Sequence, residues 1–136
     1  MSLFVVGEGD DEVSGVPHKL QFDQWKAALS AAELAAIDQA LDTLISEKVS
    51  AGKDIVTSSW LPKELCPGGG HDWDGTPFMV IWEKACRRSW SQTGQCFGLF
   101  LWEHMMNRPE RWHFMKCELD GVPIAGTTYF RCTQNR

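Results

Sequence analysis

From Leu34 onward an apolar residue recurs every three or four positions: Leu34, Ile37, Leu41, Leu44, Ile45 and Val49. On a helix these positions form one stripe, so the spacing predicts an amphipathic helix. Ser30-Ala31-Ala32-Glu33 has capping-box spacing, in which each end residue's side chain satisfies the other's backbone N–H. Leu29 and Leu34 occupy the two hydrophobic-staple positions, and Gly52 suits the left-handed residue after the last turn. The opposite face carries Asp38, Gln39, Asp42, Glu47 and Lys48 and reads as solvated. Upstream, Pro17 to Phe22 reads as a short extended piece. Asp23 then reads as the N-cap of a short helix bearing Trp25, Ala27, Ala28 and Leu29.

A second helical stretch opens at Thr76-Pro77, a good N-cap followed by a residue that needs no N–H donor in the first turn. Phe78, Ile81, Trp82, Ala85 and Ser89 share a face, and Glu83 and Arg87 stand four apart for an ion pair. Thr93-Gly94 reads as a break. A further helix runs from about Gln95 to Asn107, before Pro109. Its apolar residues spread round the whole circle, which places it at the centre of the domain. Ile55 to Trp60 reads as a strand. Trp112 to Leu119 alternates, Asp120-Gly121 is a favoured turn, and Ile124 to Cys132 completes a hairpin, with Pro123 suggesting a bulge or an edge. Helices followed by strands predict an α+β fold: N-terminal amphipathic helices, a central buried helix and a small antiparallel sheet including the C-terminal hairpin.

Composition narrows the setting. The chain has 136 residues, 43% hydrophobic and 23% charged, as expected of one folded domain. Residues 1–47 hold nine of the eighteen acids but two of the thirteen Lys and Arg. The run Glu8, Asp10, Asp11, Glu12 lies among glycines, so residues 1–16 read as a flexible acidic segment and 17–136 as the domain. A net charge of −5 makes nucleic-acid binding unlikely on electrostatic grounds. The apolar run at Leu3 to Val6 is too short for a signal core, and none approaches the ~20 residues of a membrane span. The expectation is a cytoplasmic protein with no membrane partner. Five cysteines, an odd number without C-x-x-C spacing, read as thiols in a reducing compartment, and neither a metal nor a cofactor is expected.

Two regions attract chemistry. Glu103 and His104 interrupt the all-round apolar helix, so Glu103 is expected to be buried and held by a basic or hydrogen-bonding partner. The simpler role is a structural ion pair; the sharper one is acid–base work. Adjacent helical residues point about 100° apart, so the two cannot address one atom from one face. The second region is the loop from Cys66 to Gly75, with three consecutive glycines and then His71, Asp72, Trp73 and Asp74 before Thr76. It is no phosphate loop, since it lacks G-K-[ST], and its acids complement a helix N-terminus without any metal. Seven tryptophans make the chain unusually rich in indole. Trp73 and Trp90 read as the least core-like. With Trp60, Arg87 and Arg111 they complete an expected ligand-binding wall of His71, Asp72, Trp73, Asp74 and Thr76. The leading functional reading is a non-enzymatic module that binds a small molecule or a protein partner in an aromatic-lined cleft, with a homodimer expected. The alternative is a small hydrolase or isomerase using Glu103 with His71 or His104.

Overall fold

The computed structural model describes residues 3–5, 15, 16, 18–53, 55, 56, 60–62, 72–108, 112–119 and 122–131, the strand residues other than Trp112 at the backbone alone. Three α-helices form its body: α1 (Lys19–Ala27), α2 (Ala31–Ser50) and α3 (Trp90–Met106). A single π-helical turn, Ile81–Ala85, precedes α3.

α2 begins and ends where its local chemistry dictates. The Ser30 hydroxyl accepts from the Glu33 N–H at 3.1 Å, and the Glu33 carboxylate accepts from the Ser30 N–H at 2.8 Å. Gly52 sits at φ 68° beyond the last turn. There the Gly52 N–H donates to the Val49 carbonyl and the Lys53 N–H to the Lys48 carbonyl, the paired bonds of a Schellman end. Ile37, Leu41 and Ile45 are buried, while Leu34, Leu44 and Val49 flank them half-buried. α1 starts earlier than expected, at Lys19, so Lys19 to Phe22 is helical and not extended. Asp23 lies inside the helix and pairs with Lys19 at 2.9 Å instead of capping it.

The expected break at Thr93-Gly94 is displaced. Both residues lie inside α3 and are fully packed, and the Thr93 hydroxyl bonds back to the Ser89 carbonyl at 2.7 Å. Ser89 is the N-cap, its hydroxyl accepting from the Gln92 N–H. The chain turns instead at Arg87 and Arg88, with φ 49° and 64°. The π-turn causes this. The Cys86 N–H reaches the Ile81 carbonyl and the Arg88 N–H the Trp82 carbonyl, five and six residues back. That winding spends the regular helical ladder, and two left-handed residues redirect the backbone.

α3 is buried on most sides, through Cys96, Phe97, Leu99, Phe100, Leu101, Trp102, Met105 and Met106. α1, α2 and the π-turn pack around it. Phe22 of α1 meets Phe100 edge-on at 5.0 Å. Trp73, Phe78 and Phe97 form a triangle with centroids 5.2–5.7 Å apart. Cys86 and Cys96 are free and buried.

The α+β expectation with an antiparallel sheet is corrected. Helix takes up 67% of the residues described with their side chains, and the core is built from helices and the segments joining them. Trp112 of a strand joins them, the one strand residue described with its side chain. At the backbone, β1 (Leu3–Val5), β2 (Ile55–Val56), β3 (Trp112–Leu119) and β4 (Val122–Arg131) run in the order β1-β3-β4-β2, with β1 parallel to β3. The error arose because alternation reports backbone pairing, whereas fold class depends on which layer supplies the core. Among the residues described with their side chains, the helical layer supplies it.

Candidate functional site

Of the wall expected around Trp73, the described residues place Trp60 and Trp73 in the core and Asp72 and Asp74 at the surface. Trp73 is 3% exposed and Trp60 4%. The Trp73 indole N–H donates to the Trp60 carbonyl at 2.8 Å, which joins the two segments inside the core. Thr76 turns inward as well, its N–H and its hydroxyl both donating to the Trp73 carbonyl. It therefore closes a turn and offers no free donor of its own. Asp72 accepts from the Asp74 N–H at 3.0 Å, and both carboxylates are exposed. His71 and Arg111 lie outside the described residues. Trp90 and Arg87 stand apart from the Trp60–Trp73 core, at the turn into α3. Trp90 stacks on Trp82 at 4.7 Å, and Arg87 is exposed.

A cleft among the described residues lies where α1, α2 and the end of α3 meet, with a volume of about 480 Å³. Leu34, Leu41 and Phe100 give it an apolar floor. Its polar lining comes from all three helices: Lys26 from α1, Asp38 and Asp42 from α2, Glu103 and His104 from α3, with Asn107 and Arg108 just beyond. Glu103 and His104, which the sequence singles out, both reach it. The 100° between them shows in their partners. Glu103 faces α1 and meets the Lys26 ammonium at 3.2 Å. His104 faces α2, with Nδ1 2.9 Å from Asp38 and Nε2 3.5 Å from Asp42. Arg108 donates to Asp42 at 2.9 Å and to the Ser46 hydroxyl at 3.3 Å.

The expectation of a buried Glu103 is corrected, although the basic partner is there. Its side chain is 41% exposed because residue 103 is on the rim, where α3 emerges from between its neighbours. From the sequence, Asp38 and Asp42 read as part of a solvated face, and Lys26 carries no signal. Asp38 and Asp42 stand four apart beside the apolar stripe, which puts both at the edge of whatever the stripe packs against. That was the available signal.

The accessible charge in the cleft is uneven. The carboxylates are outermost, with Asp38 74% and Asp42 51% exposed, while the His104 and Arg108 side chains beneath them are 11% exposed. Among the described residues no three His, Cys, Asp or Glu side chains are grouped to hold a metal ion. Among them also, no helix is long and apolar enough to cross a membrane. The chain matches no protein-family model, and no curated protein or solved structure is significantly similar to it.

Proposed function

We propose that the protein is a binding module whose α1–α2–α3 cleft takes a small organic cation with an apolar body. The observation that carries this reading is the layering of charge. Carboxylates of Asp38, Asp42 and Glu103 line the open side, bases lie below them, and Leu34, Leu41 and Phe100 form the floor. A ligand ammonium meets the carboxylates first and its apolar part covers the floor, the usual division of labour in small-molecule sites. The ion pairs beneath hold those carboxylates in place before a ligand arrives, which limits the ordering cost of binding.

The same pairs weigh against acid–base catalysis. Both ring nitrogens of His104 face carboxylates, so neither is directed at a substrate atom. Glu103 is engaged by Lys26.

The test is a protein-observed NMR titration with 2-phenylethylamine, with 3-phenylpropanoate and 2-phenylethanol as anionic and neutral counterparts. The amine should shift the amide resonances of Asp38, Asp42, Glu103 and His104. Asp38→Asn should weaken it severalfold without unfolding the protein, since that side chain is largely exposed. Equal or stronger shifts from the anion, or none from the amine, would overturn the reading.

A further inference from the structure

A second cluster stands at the turn between the π-helical segment and α3. Trp82 and Trp90 stack with ring centroids 4.7 Å apart and planes within 19°. The Arg88 guanidinium lies over the Trp82 ring at 5.1 Å. Both indoles are half-buried, while Arg87 and Arg88 are exposed. Trp90 and Arg88 thus both pack on the Trp82 ring.

Three further observations meet here. Among the described residues neither Arg87 nor Arg88 pairs with a carboxylate, unlike Lys19, Lys26, Lys84 and Arg108. Both arginines hold the left-handed backbone, φ 49° and 64°, a conformation that strains any residue but glycine. The Trp82 indole N–H has no acceptor among the described residues. A buried donor without an acceptor is a standing cost. Strain, unpaired charge and an orphan donor at one half-exposed aromatic stack are what a binding site shows before its ligand arrives.

We propose that Trp82, Arg87, Arg88 and Trp90 form a site for a planar aromatic anion. The ring stacks with the indoles, sliding against or replacing the Arg88 guanidinium. The anionic group takes the two guanidiniums. The site is separate from the α1–α2–α3 cleft and selects the opposite charge, so either proposal can fail alone.

The probes are AMP and indole-3-acetate, which distinguish a phosphorylated base from an aromatic carboxylate, with adenosine and inorganic phosphate as controls. Near-UV circular dichroism reads the coupling of the stacked indoles. At least one of the two anions should change that signal saturably, and the controls should not. Trp90→Ala should abolish the change. Arg88→Gly should raise the melting temperature, by relieving the left-handed strain, while weakening the probe at least tenfold. That opposite movement separates a binding role from a structural one, and it stands even where Trp90→Ala destabilises the chain. No change with either anion, an equal change with adenosine or phosphate, or a change that survives both substitutions would overturn the proposal.

Discussion

At Trp73 and Glu103, burial and exposure have changed places relative to what residue type suggests. Trp73 follows three glycines and two polar residues, yet its ring packs on Phe78 and Phe97 and its N–H is satisfied inside the core. Trp73→Ala should therefore destabilise by ~3–5 kcal/mol in urea denaturation. Trp73→Phe should lose less, ~1–3 kcal/mol, as the cost of leaving the Trp60 carbonyl unsatisfied. A Trp73→Ala protein of unchanged midpoint would show that the ring is not core. Glu103 lies on a strongly apolar helix yet is part-exposed and paired with Lys26. An exposed pair is worth ~0.2–1 kcal/mol, so Glu103→Ala should cost no more than that, well short of the ~3–5 kcal/mol for half of a buried pair. Neither outcome follows from residue type and helical phase alone. A tryptophan that follows glycines is buried by what it packs on, and a helix residue is exposed or buried according to where its neighbours end.

Among the elements, α2 was the most legible because its signals are local. The capping box, the stripe and Gly52 act within one turn of the residues they control. Ser30→Ala should cost ~1 kcal/mol of stability, the usual worth of an N-cap hydroxyl. Gly52→Ala should cost a similar ~1–2 kcal/mol through its left-handed φ of 68°. Equilibrium unfolding of the two variants checks both, and an unchanged midpoint for Ser30→Ala would mean that the cap is not holding the helix. The stretch from Phe78 to Gln95 was misread because its breaker residues mislead. Thr93 and Gly94 are weak helix formers, but tight packing holds them in α3 at an intrinsic cost of about 1 kcal/mol for the glycine. Arg87 and Arg88 are good helix formers, yet the π-turn forces them to end a helix. Propensity ranks residues for an isolated helix and carries no information about a winding defect six residues upstream.

Across the whole molecule, charge ties the helices together at their edges. Lys84 reaches from the π-turn to Glu33 at the start of α2 at 2.6 Å, and Lys19 holds Asp23 within α1. Hydrogen bonds from Lys84 and Lys19 hold the carboxyls of Glu33 and Asp23, respectively, below their ordinary values. A carboxyl lowered in the folded state contributes stability that is complete above its unfolded value and is lost as pH falls through the folded one. Stability should thus fall as pH drops through and below the ordinary carboxylate range, about pH 4 to 5. Glu33→Gln should flatten that acid limb in a pH series of thermal melts. A limb of unchanged steepness would show that Glu33 takes no part in it. Melts with and without EDTA should coincide, and a drop of more than ~8 °C, beyond a ~1 kcal/mol effect, would reveal a stabilising metal. What the sequence by itself determined were the features whose causes lie a few residues apart: the span and caps of α2, the apolar circumference of α3, and the prominence of Glu103 and His104. Only the tertiary structure decided that the described core is mainly helical, that Trp60 and Trp73 belong to it, and that Lys26, Asp38 and Asp42 join Glu103 and His104 around a cleft. Those outcomes depend on contacts between residues far apart in the chain, as Lys26 and Glu103 are at 77 positions. Periodicity along a chain states which face of an element is apolar; it does not state which other face meets it.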